Sequence, residues 1–161
     1  MFMSLIEDEI KNAWIIPKLK NITITNRCII KEAKLKFNEG LNIITGPNGS
    51  GKTTVLNTIS EKKGGRNVLA ILETSSTGDK IMFWYGGLFN LLEHRYADRC
   101  LMVDGMFDRL DDDKRRSLLK IIKKSKIQVI TTVGSLNHIP EIKKIKANII
   151  RTDSFKLKSI R

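Results

Sequence analysis

Aromatic residues make up only 6% of this 161-residue chain, and cysteine occurs twice. Two thiols are too few for the disulfide framework of a small secreted scaffold. Cys28 and Cys100 each lie inside an apolar run, and read as buried thiols of an intracellular protein, not as a disulfide or a metal pair. With so few aromatics, none interleaves with the basic runs, so a base-stacking platform for single-stranded nucleic acid is excluded. Long hydrophobic runs are missing too. The most apolar stretch, residues 81–92, is broken by Gly86, Gly87 and Asn90 and falls short of the roughly 20 residues a spanning helix needs. The start, MFMSLIEDEIKNAW, is acidic and amphipathic, unlike a secretory signal. No membrane partner is expected, and a cytoplasmic location follows. Low-complexity tracts, disordered tails and internal repeats are also absent.

What is present fits one domain, 1–161, long enough to bury a core without staples. Hydrophobic residues make up 41% and charged residues 29%. The formal net charge is +12, from 29 Lys plus Arg against 17 Asp plus Glu. Such an excess suits a polyanionic partner, since basic side chains displace counterions from phosphates. A solvated lysine-rich surface accounts for it equally well.

Phe2, Ile6, Ile10, Ala13 and Trp14 recur at helical spacing, predicting an amphipathic N-terminal extension over 1–17 ended by Pro17. KNITITN and EAKLKF alternate as two strands joined through RCII; LNIIT is a short buried strand and TTVLNTISE opens a helix that stops near residues 62–65. NVLAILE reads as a strand, 79–96 as an apolar helix, RCLMV as a buried strand, 112–125 as a basic helix and IQVITT as a strand. A short helix over 140–146 precedes NIIRT and SFKLKSI, read as a closing hairpin. The alternation predicts an α/β fold with a mainly parallel central sheet, an antiparallel N-terminal portion and a C-terminal hairpin.

Gly46-Pro47-Asn48-Gly49-Ser50-Gly51-Lys52-Thr53, followed by Thr54, fits the pattern GxxxxGK followed by Ser or Thr, between a strand and a helix. The glycines let successive N–H groups turn inward onto phosphates, and the helix adds its positive end. Lys52 would reach the β- and γ-phosphates, and the Thr53 hydroxyl would ligate Mg²⁺. Cys100-Leu101-Met102-Val103-Asp104 is an apolar strand ending in a carboxylate suited to the same metal.

The stretch ITITNRCIIKEAKLKFNEGLNIITGPNGSGKTTVLNTI resembles the opening of the SMC/RecF branch of ABC-type ATPases. The resemblance implies an ABC-ATPase-like P-loop NTPase fold, ATP as nucleotide, and a dimer with ATP shared between heads. Ser75-Ser76-Thr77-Gly78-Asp79 resembles the family's signature, making Ser76, Gly78 and Asp79 a phosphate receptor offered to the other subunit. Asp108-Arg109-Leu110-Asp111 resembles its D-loop, implicating Asp108 and Asp111 at the subunit interface. Only 22 residues separate Lys52 from Ser75, where the family carries a helical lobe or coiled coil. The chain resembles a minimal head.

In that family a glutamate follows the strand-ending aspartate and a histidine ends the next strand. The corresponding positions are Gly105 and Val133. Loss of a group that activates the nucleophile costs about 10²–10⁴ in rate, so slow hydrolysis is expected. Asp108, Asp111 and His138 are possible substitutes with no spacing to separate them. Glu73 is a stand-in for a metal contact, and Arg27 lies near where relatives touch nucleotide. The expected role is an ATP-dependent homodimeric or heterodimeric switch, paired with a copy of itself or a related ATPase, that grips DNA without sequence preference in repair, recombination or chromosome handling. The alternatives are a transporter's ATP-binding subunit, a nucleoside kinase, or a non-hydrolysing adaptor.

Overall fold

The computed structural model describes residues 13–67, 89–90, 92–94, 98–108 and 110–159. Among the described residues these elements follow in order: β1 (Ala13–Pro17), β2 (Asn21–Arg27), β3 (Ile30–Lys36), β4 (Leu41–Thr45), α1 (Lys52–Lys63), β5 (Arg66–Asn67), β6 (Arg99–Val103), α2 (Asp112–Lys124), β7 (Gln128–Val133), β8 (Asn148–Arg151) and β9 (Lys156–Leu157). A six-stranded sheet has the order β5-β1-β6-β7-β4-β8, and a three-stranded sheet the order β2-β3-β9. In the larger sheet β6, β7, β4 and β8 run parallel, while β1 is antiparallel to both its neighbours. This is the mainly parallel α/β fold expected of a P-loop NTPase.

Strand alternation assigns the two faces of the large sheet to two cores. Ile43, Leu101, Val103 and Val129 point to one side, where Leu118, Leu119 and Ile122 of α2 cover them together with Phe89 and Leu92. Their neighbours Ile44, Cys100, Met102 and Ile130 point to the other. There they meet Val55, Leu56 and Ile59 of α1, and beyond these Ile22, Ile24, Ala33 and Leu35 of the small sheet. The helix after the phosphate loop is therefore wedged between sheets. Burial pushes the Cys100 thiol far above its ordinary range, so it is an inert filler of this core.

Polar pins hold the two sheets in register. The Gln128 side chain, at the start of β7, accepts the Leu19 N–H at 2.9 Å and donates to the carbonyls of Leu19 at 2.7 Å and Asn38 at 2.8 Å. Asn42 Nδ2 donates to the carbonyls of Asn38 and Val129, and Asn148 donates to Asn42 Oδ1 at 2.9 Å. On the opposite side Arg115 of α2 grips Glu141 through Nε at 3.1 Å and Nη2 at 3.2 Å, and reaches Asp112 at 2.8 Å. This clamp ties α2 to the 3-10 turn Pro140–Lys144.

Four expectations differ from the structure. Residues 13–17 are not helical but form strand β1, whose Ala13 to Pro17 pair with Val103 to Arg99; residues 1–12 lie outside the described residues. The chain does not close in a hairpin: β8 joins β4 in the large sheet, whereas β9 joins β3 in the small one. A 3-10 turn, Thr152–Ser154, carries the chain from one sheet to the other. Cys28 is exposed, because the β2–β3 turn holds it at a φ of 47° pointing outward. The expected helix over 140–146 is the shorter 3-10 turn. Of NVLAILE only Asn67 is described, in β5, and of the helix over 79–96 residues 89, 90 and 92–94 are helical.

Two outcomes follow from these contacts. Gln128→Leu strands the buried Leu19 amide and carbonyl, and each unpaired group costs about 1–3 kcal/mol. The urea midpoint is expected to fall with an unchanged slope in equilibrium unfolding. The hydrogen bond from Arg115 holds the Glu141 carboxyl below its usual range. Its stabilisation is complete above the unfolded carboxyl value of about 4.3 and fades as acid carries the pH through the lowered folded value. Arg115→Met is expected to flatten that acid dependence in melts between pH 3 and 6.

Candidate nucleotide-binding site

The phosphate loop leaves the carboxyl end of β4 and enters α1. Three features give it its shape. Ser50 folds back to donate its hydroxyl to the Pro47 carbonyl at 2.6 Å. Gly51 stands at a φ of 102°, against Ile30 of the small sheet, in a conformation that L side chains rarely adopt. Gly46 has no room for a Cβ, since one would lie 1.8 Å from Thr152 Oγ1. The hairpin turn before β3 is thus the wall of the loop and the turn after β8 its floor. Neither Ile30 nor Thr152 is marked by the loop motif.

Helix α1 begins with Gly51 as its N-cap, which makes no side-chain capping bond, and its first turn carries no acid. No side chain caps its leading amides, an arrangement suited to an anion. Lys52 folds back over the loop so that Nζ donates to the Gly46 carbonyl. An ammonium held by its own loop is placed to transfer to a phosphate oxygen on binding.

Asp104 closes the site from the neighbouring strands. It follows Val103 at the carboxyl end of β6, and its Oδ2 accepts the Thr53 hydroxyl at 3.1 Å. Its Oδ1 accepts the Thr132 hydroxyl at 2.5 Å. Thr132 in turn accepts the Gly105 N–H at 2.9 Å, and Thr131 accepts the Met106 N–H at 3.1 Å while donating to the Val103 carbonyl at 2.7 Å. Two threonines of β7 therefore fix both the carboxylate and the turn after it. The run Ile130-Thr131-Thr132 sits wholly buried in a strand, and polar residues there are the signal that could have exposed this role.

A hydroxyl and a carboxylate 3.1 Å apart beside a phosphate cradle form a hard-oxygen pair suited to Mg²⁺. That ion is commonly held by one or two protein groups plus the phosphates themselves. Among the described residues no three His, Cys, Asp or Glu side chains converge. Thr53 and Asp104 would hold the ion, which when bound would neutralise charge on the phosphates.

The other candidates separate. Val133 is packed in the core. Asp111 accepts the Lys114 N–H at 2.9 Å as the N-cap of α2. Arg27 pairs with Glu61 of α1 at 3.0 Å. His138 ends the 3-10 turn Leu136–His138, its ring beside Gly134. Ser76, Gly78, Asp79 and Glu73 lie outside the described residues.

The AAA domain family model matches residues 18–60, and the CobW/HypB/UreG nucleotide-binding domain model matches residues 41–80. The chain is 54% identical over 41 residues to the Septu protein PtuA of Bacillus thuringiensis, covering 26% of this chain and 10% of that protein. It is 44% identical over 50 residues to the DNA replication and repair protein RecF of Magnetococcus marinus, covering 31% of this chain and 13% of the relative. For RecF of Teredinibacter turnerae the identity is 40% over 52 residues, 32% of this chain and 14% of the relative. The chain therefore spans only a small part of the curated relatives it matches. No solved structure matches. Cradle, strand-end carboxylate and mainly parallel sheet, with these matches, define a P-loop NTPase. Within that class, the similarity to RecF and PtuA covers a third of the chain or less.

Thr132→Val should remove the hydroxyl that aims Asp104 without touching the loop. Loss of such an outer-shell partner costs about 10–100-fold in metal affinity. Titrating Mg²⁺ against a fluorescent ATP analogue is expected to show that loss, with metal-free nucleotide binding unchanged.

Proposed function

We propose that the protein is an SMC/RecF-like ATPase head acting as a nucleotide-dependent switch: ATP–Mg²⁺ joins two copies, or this chain and a related ATPase, and slow hydrolysis releases them. The observation that carries the reading is the Thr53–Asp104 hydrogen bond, which brings the loop and the strand end together as ATP–Mg²⁺ requires. Lys52 and the leading amides of α1 bind and orient the triphosphate, and Thr53 and Asp104 receive its metal. Gly105 offers no side chain to the attacking water and Val133 is buried away from it, which supports slow turnover. Ser76, Gly78 and Asp79 complete the paired site from the second subunit, on sequence order alone.

Three observations support a nucleic-acid partner. The net charge is +12. Lys114, Arg116, Lys120, Lys123 and Lys124 are exposed on α2 opposite its buried Leu118, Leu119 and Ile122. The relatives named RecF are DNA replication and repair proteins. Contacts of this kind address phosphates and are indifferent to sequence. No helix among the described residues is long and apolar enough to cross a membrane.

Light scattering with and without ATP–Mg²⁺ tests the switch. Mass is expected to double on adding nucleotide for the native chain and to stay constant for Ser76→Arg and Lys52→Ala. A native chain whose mass ignores nucleotide, alone and when mixed with a related ATPase, overturns the reading.

A further inference from the structure

Gly105 does more than lack a side chain. Its φ is +68°, and a Cβ built there would lie 2.4 Å from Asp108 Oδ2. The carboxylate of Asp108 therefore fills the space in which a side chain at position 105 would begin, one residue beyond Asp104. We infer that Asp108 activates the attacking water, reaching from the turn after β6 to the place that residue 105 leaves open. This rests on the site being an ATP-hydrolysing phosphate loop, and not on the paired state.

The turn that delivers Asp108 is built, not incidental. Met106 and Phe107 are buried, 2% and 4% exposed, and anchor it in the core beneath the sheet. The Met106 N–H is held by Thr131 and the Gly105 N–H by Thr132. The Asp108 N–H donates back to the Gly105 carbonyl at 3.1 Å, closing the turn. Two buried residues and three backbone hydrogen bonds thus fix Asp108 as an exposed side chain at the carboxyl end of β6, the edge where α/β sheets place their chemistry.

The neighbouring carboxylates are committed elsewhere. Asp104 has one oxygen on Thr53 and the other on Thr132. Asp111 caps α2. Asp108 is exposed, and its carboxylate lies where a side chain on Gly105 would start, which places it to accept a proton at this edge. In phosphoryl transfer the protein's task is largely positioning, and a single residue that orients or deprotonates the nucleophile is the recurring part. Asp108 accepts one proton from water as its oxygen bonds to the γ-phosphorus. The bond from that phosphorus to the bridging oxygen breaks, its electron pair leaving with ADP, and the carboxyl returns the proton to the medium.

Single-turnover hydrolysis and equilibrium binding of a fluorescent ATP analogue on the full chain test this, comparing native protein, Asp108→Asn, Asp108→Glu and Lys52→Ala. Asp108→Asn is expected to lower hydrolysis roughly 10²–10⁴-fold, to the Lys52→Ala background, with nucleotide affinity unchanged and the bound nucleotide recovered as triphosphate. Asp108→Glu, which keeps the carboxylate, is expected to restore part of the rate. Native turnover in Asp108→Asn overturns the inference, as does a native rate no higher than that of Lys52→Ala. Parallel loss of binding and hydrolysis in Asp108→Asn also overturns it, since the role is then structural. Hydrolysis lost in Asp108→Asn by a chain that never pairs supports Asp108 while sinking the dimeric switch, so the two ideas fail separately.

Discussion

The hydrogen bond between Thr53 and Asp104 joins the first turn of α1 to the end of β6, two segments brought together only by the parallel pairing of β4, β7 and β6. Everything in the site depends on that juxtaposition. β7 lies between the two strands that carry the loop and the carboxylate, and its Thr131 and Thr132 steady the second. Because the threonines are buried, water cannot compete for their hydroxyls, so the carboxylate is held in place before any ligand arrives.

The loop itself is braced from two directions. Gly51 rests on Ile30, and Gly46 rests on Thr152. Each contact belongs to a different sheet's connection, so the geometry of the cradle reports on the docking of the small sheet as well as on the large one. The pins from Gln128 and Asn42 lie at the opposite ends of the strands from the site.

The phosphate loop was legible in the sequence because its glycines, lysine and threonine stand at fixed offsets, and spacing of that kind needs no tertiary knowledge. The strands β4, β6 and β7 were legible too, as short apolar runs bounded by turns. Strand β1 was not. Ala13 and Trp14 continue a helical spacing that begins at Phe2, while the partner of residues 13–17, β6, lies far along the chain. The hairpin reading of the C-terminus failed for the same reason, since which sheet a strand joins is a long-range choice that local alternation does not encode. Cys28 reads as core from its Ile29 and Ile30 neighbours, yet the left-handed turn rotates it outward. Asp108 was legible as a residue, but its place against Gly105 depends on a positive φ that no motif announces.

Thr152, the floor beneath Gly46, is translated only after most of the chain has left the ribosome, and β9, which completes the small sheet against β3, comes later still. Closing such distant segments is slow, because the entropy of a long loop is lost before the contact rewards it. The nucleotide motif therefore stands in the chain without a finished cradle until those distant segments have docked, and ligand competence becomes a report on long-range closure.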